Sequence, residues 1–148
     1  MNIFILDEDP RMCARYHCDK HVSKMILESA QMLSTVMGGP YKPTHQNHPC
    51  TVWAGESKEN ALWLIEMAGY LNAEWKRRYE HVQHHKSWEV IVELADKKLG
   101  FMPDNGLTPF AQAMPEEFKR NNPVASYRDY YKSKSFARWD HGPTPYWW

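Results

Sequence analysis

Between Pro10 and Val36 the chain carries one helical pattern of apolar residues, and no other feature restricts its fold as strongly. Asp9 suits an N-cap, Pro10 suits a first helical turn, and Gly38-Gly39-Pro40 stops the pattern. The spacing predicts one helix of about seven turns toward Val36. Set at about 100° per residue, Cys18, Val22, Met25, Ile26, Met32, Leu33 and Val36 fall on one side. His17, His21, Lys24, Glu28 and Gln31 share a separate arc of about 80°. A helix divided in this way buries its apolar side against other elements.

Those elements can be read from the rest of the sequence. Asn2 to Leu6 reads as a short β-type or extended lead, too short to make a sheet alone. A second helix is expected from about Val52 to Tyr79, with Trp53, Leu62, Ile65, Met67, Leu71 and Trp75 on its apolar surface. SWEVIVELADKKLG reads as a third helix ended by Gly100. Two helical pieces follow, PFAQAMPEEFKR with a break at Pro115, and NPVASYRDYYKSKSFARW capped by Asn122. The tail HGPTPYWW is expected to be irregular. No stretch of linker composition divides the 148 residues, so the expectation is one all-α domain over 1–148 with a short extended N-terminal segment.

Charge and cysteine usage limit the function classes. With 18 basic and 18 acidic residues the formal net charge is zero, so any nucleic-acid surface must be a local patch. The start MNIFILDEDP has no basic n-region, and no apolar run approaches the roughly 18 to 20 residues of a membrane span. A cytoplasmic location and no membrane partner are therefore expected. Three cysteines without a CxxC pair argue for free thiols. No phosphate-binding Gly loop, dinucleotide fingerprint or nucleophile elbow is present, and no cofactor is expected.

The polar arc invites a functional reading because it adds two histidines and a glutamine to the usual Lys and Glu, and borders a loop carrying His45 and His48. On an open surface Lys24 and Glu28 form an ordinary i,i+4 ion pair. Partly buried, they become a candidate amine nucleophile and a candidate acid or base. His17 and His21 could carry protons or meet phosphate. His17 and His21 with His45, His48 or Cys50 could alternatively hold zinc, although Lys24 would set a positive charge beside the ion. Gln31, His45 and His48 border the arc as candidate substrate contacts. On the last helix Arg128 could meet phosphate, and Tyr127 and Tyr131, one turn apart, could stack a base.

RYHCDKHVSKM, followed by NHPCTVWAGESKENALWLIEMAGYLNAEWKRRY and the tail PTPYWW, resembles the small helical phage and bacterial pyrimidine-dimer DNA glycosylases of the endonuclease V type. The resemblance covers residues 14 to 80 and the tail. It sets His17 on the family's helix histidine, and His48-Pro49 with Thr51 and Gly55 on its second segment. It sets Lys24 where the family carries its catalytic Glu. Family members attack the sugar with a free N-terminal amine after loss of the initiator Met, whereas Asn2 here should leave Met1 in place.

The resemblance implies an enzyme acting on an N-glycosidic bond of a nucleic acid or nucleotide. Lys24 could supply the attacking amine, with Glu28 or an Asp of DEDP handling protons. Alternatively, the scaffold binds a nucleotide or DNA without chemistry, since fold alone does not fix function.

Overall fold

The computed structural model describes residues 1–148 and contains six α-helices and no strand. They are α1 (Pro10–Tyr16), α2 (Asp19–Met37), α3 (Pro49–Glu56), α4 (Lys58–Tyr79), α5 (Lys86–Lys98) and α6 (Pro123–Lys132). The all-α expectation holds. Helix α2 lies at the centre, packed against α3, α4 and α5, while α1 runs along α4. One apolar cluster joins all of these helices to the N-terminal segment and to Trp139 of the tail. No helix is long and apolar enough to cross a membrane. The three cysteines are free and buried.

Two of the expected long helices are broken. The pattern from Pro10 to Val36 divides at His17 and Cys18, both with extended backbone. The break is stabilised by Arg78, a buried residue of α4. Its guanidinium donates to the carbonyls of His17 (2.7 Å) and Arg15 (2.9 Å), to Asp19 Oδ1 (3.2 Å) and to Glu74 Oε1 (2.9 Å). Carbonyls at the end of α1 and the acidic first turn of α2 thus share one cation. The second long helix divides at Ser57, whose hydroxyl accepts from the amide of Asn60 and caps α4. In α3, Gly55 lies so close to α2 that a Cβ there would sit 3.0 Å from Val36 Cγ1.

Later in the chain, residues 109–120 are not a helix apart from a short 3-10 turn at Glu116–Phe118. Their backbone groups bond to distant side chains instead: Tyr127 Oη donates to the carbonyl of Ala111 and accepts from the amide of Ala113. Helix α6 ends at Lys132, short of the expected Trp139, where Ser133 Oγ turns back to the carbonyl of Tyr130. The tail is irregular as expected, and Trp139 just before it donates from Nε1 to the carbonyl of Tyr16.

The N-terminal lead runs through the interior without pairing as a strand. Ile3, Phe4, Ile5 and Leu6 are buried, so their peptide groups need partners from elsewhere. Asn2 Oδ1 accepts from the amides of Ile3 and Phe4, and the Cys13 thiol donates to the carbonyl of Phe4. The carbonyl of Ile3 lies 3.3 Å from His17 Nε2, and that of Leu6 accepts from Arg128 Nε. Phe4 has a left-handed backbone, φ +58°, unusual for a bulky residue. That turn lays its ring flat on His21, with centroids 4.6 Å apart.

His17 and His21 are therefore core residues. His17 is enclosed, with Nδ1 2.8 Å from the carbonyl of Cys13. Tyr131 Oη accepts from the amide of Cys18 and hydrogen-bonds His21 Nδ1 at 2.9 Å. Burial pushes the pKa of His17 down to about 4. Burial first, then the charges of His17, Lys134, Lys24 and Lys20, pushes His21 down to about 3.

Two predictions follow from this packing. Arg78→Met leaves Glu74 and the α1 carbonyls without their buried partner and should cost about 3 to 5 kcal/mol in urea unfolding, with Arg78→Lys rescuing little because an ammonium lacks the planar fork. The two histidines bind protons more readily unfolded than folded, so stability should be complete above pH 6.5 and fall as the pH drops toward 4. Unfolding free energies from urea titrations at pH 7 and pH 5 should differ by about 2 to 4 kcal/mol, and His21→Phe should show a shallower dependence.

Candidate functional site

The most reactive arrangement lies where the lead begins. Met1 packs its side chain, 2% exposed, against the core, so the exposure of this residue lies on its main-chain end. Its α-amino nitrogen sits 3.4 Å from Glu28 Oε1, and the same oxygen accepts from the amide of Asn2 at 2.9 Å. Asn2 anchors this end through its side chain, which donates from Nδ2 to the carbonyl of Ala113 at 2.8 Å. A carboxylate 10% exposed therefore meets a primary amine that faces outward.

Lys24 stands one turn before Glu28 on α2, its Nζ 3.9 Å from Glu28 Oε2 and its side chain 59% exposed. Of the two amines at Glu28, the α-amine is thus the more closely held and the Lys24 amine the more solvated. Lys20, Lys24 and Lys134 all carry their charge toward His21, and Lys134 lies over the rings of Tyr130 and Phe4. These three lysines make a local cationic group around His21 in a chain with no net charge.

Of the expected site residues, His48 lies near enough to the amine to feel its charge. It caps α3, and Nδ1 accepts from the amide of Cys50 at 3.1 Å, leaving the ring proton on Nε2. Burial first, then the positive N-terminus and His45, lowers its pKa, with Glu28 opposing. His45 is exposed on the same loop, with a left-handed backbone and its ring 6.5 Å from that of His48. Gln31 and Leu27 line a cleft of about 590 Å³ with Pro40, Tyr41, Lys42, Pro43 and Thr44.

Other expectations are corrected by placement. His17 and His21 do not share an open stripe with Lys24, because the lead and α6 cover them. Both His17 nitrogens face carbonyls, and no three His, Cys, Asp or Glu side chains converge as a metal site would require, so the zinc set is not assembled. Tyr127 and Tyr131 are fully buried and cannot present a face to a base. Arg128 is committed to the fold: it donates to Leu6, Asp7 and Tyr146 and lies against the Trp147 ring.

What helical spacing missed is the amine itself, together with Asn2. Neither has a periodic signature, since a backbone terminus is invisible to residue pattern. The available signal was local: Asn2 is a polar residue opening an apolar run, NIFIL, and its burial demands partners.

No curated protein and no solved structure matches the chain. A family described as pyrimidine dimer DNA glycosylase matches residues 1–90, the segment that contains Met1, Asn2, Lys24, Glu28 and His48. Because that match spans more than half of the 148 residues, the chain belongs to the pyrimidine dimer DNA glycosylase family.

Proposed function

We propose that this chain is a DNA glycosylase and lyase in which the α-amine of Met1 is the nucleophile and Glu28 handles protons. The observation that carries the reading is the 3.4 Å approach of the Met1 nitrogen to Glu28 Oε1. A carboxylate at that distance can take the ammonium proton and expose the nitrogen lone pair. The amine attacks C1′ of the damaged nucleotide, and the base leaves with the electrons of the glycosidic bond. Opening of the sugar ring gives a Schiff base between C1′ and the α-nitrogen. The protonated imine then acidifies C2′ for elimination of the 3′ phosphate.

In this reading the one-turn offset between Lys24 and Glu28 reconciles the chain with its family. The carboxylate is retained four residues beyond the position first matched, and Lys24 is a cationic contact for phosphate. Lys20 and Lys134 add to that contact. The Gln31 cleft, of a size that suits a nucleotide, and His48 with His45 at its approach are the substrate-side groups.

Borohydride trapping on duplexes containing a pyrimidine dimer or an abasic site tests the assignment. Wild-type protein should form a covalent adduct, Glu28→Gln should slow trapping by about 100- to 10,000-fold, and Lys24→Ala should still trap while binding more weakly. Loss of trapping in Lys24→Ala at saturating DNA, with Glu28→Gln unaffected, would return the nucleophile to the helix.

A further inference from the structure

A second cationic feature lies at the junction of α1 and α4. Arg11 and Arg15, one turn apart on α1, and Arg77 of α4 line a concave cleft of about 560 Å³ with Tyr70, Ala73 and Glu74, closed on one side by Pro143. Arg11 and Arg15 have no side-chain hydrogen bond and no carboxylate within ion-pair distance, and both are exposed. Glu74 is the single acid lining the cleft, and its Oε1 is already shared by Arg77 at 2.7 Å and by the buried Arg78 at 2.9 Å. The second acid near Arg78, Asp19, is also occupied, by Arg78 and by the amide of Asp140.

The cleft therefore sets three guanidiniums against one carboxylate, whose Oε1 is already shared by Arg77 and Arg78. Guanidiniums from two helices converge on one concavity, the arrangement that binds tetrahedral oxyanions in a forked geometry. Arg78, next to Arg77 on α4, ties α1, α2 and α4 together through buried hydrogen bonds. Asp19 and Glu28 stand at opposite parts of α2, about 13 Å apart along its axis, so the cleft is separate from the amine site.

We propose that the Arg11–Arg15–Arg77 cleft is a phosphoryl-binding site. Its ligand is a phosphate group, carried either by a nucleic-acid backbone or by a free phosphate compound. The inference needs no bond breaking at Met1, and so stands or falls apart from the glycosylase reading.

The Arg11→Gln/Arg15→Gln double variant provides the test, since neither side chain holds the fold together. In one arm, thermal unfolding is followed with inorganic phosphate against chloride at equal ionic strength. A rise of about 3 °C for wild type, absent in the double variant, supports a site for a free phosphoryl group. In the other arm, affinity for an undamaged duplex is measured across salt concentrations. No response to phosphate, but about tenfold weaker duplex binding in the double variant and a log–log salt slope smaller by about 1, supports a backbone contact. Identical behaviour of wild type and variant in both arms overturns the proposal.

Discussion

Residues 2–6 cross the interior as a buried chain with no neighbouring strand, and much of the molecule is arranged to satisfy their peptide groups. An extended segment in a sheet is paired by backbone; here side chains from three helices do that work. Glu28 takes the amide of Asn2, His17 meets the carbonyl of Ile3, Cys13 that of Phe4 and Arg128 that of Leu6. Three members of the polar arc, His17, His21 and Glu28, thus face the lead, while Lys24 stays exposed. The arc looked like a solvated or catalytic face because a buried backbone demands the same residue types that chemistry does.

This constraint also creates the site. Fixing Asn2 through three hydrogen bonds leaves the preceding residue with one position, its side chain in the core and its amine outward beside a nearly buried carboxylate. In the proposed function, an amine placed this way has its proton acceptor prearranged, and the neighbouring Lys24 need only supply charge. The cost is borne at Phe4, whose left-handed backbone turns the lead onto His21.

Much of the architecture was legible in the sequence because it follows from periodicity and caps. Helix α4 lies within its expected span, α5 begins at Lys86 beside the expected Ser87, and Asn122 caps α6 as its side chain requires, accepting from the amides of Val124 and Ala125. The breaks at His17 and Ser57 were not legible, because both keep helical spacing on either side while their causes, Arg78 and the Ser57 hydroxyl, act through tertiary contact or a single side chain. Residues 109–120 have helical composition but bond to Tyr127 and Asn2 in space. At the site, Glu28 and His48 could be singled out from residue type and position. Tyr127, Tyr131 and Arg128 could not be told from surface groups, since aromatic and basic side chains one turn apart suit a binding face and a packed helix equally.

The central claim is that the chain's first amine, held by Glu28, is the group that meets the substrate. The most direct measurement is tandem mass spectrometry of the peptides from the borohydride-reduced adduct, which locates the modified nitrogen. The account predicts the sugar remnant on the α-nitrogen of Met1. A remnant on the ε-nitrogen of Lys24 or of any other lysine, or no covalent adduct at all, would contradict it.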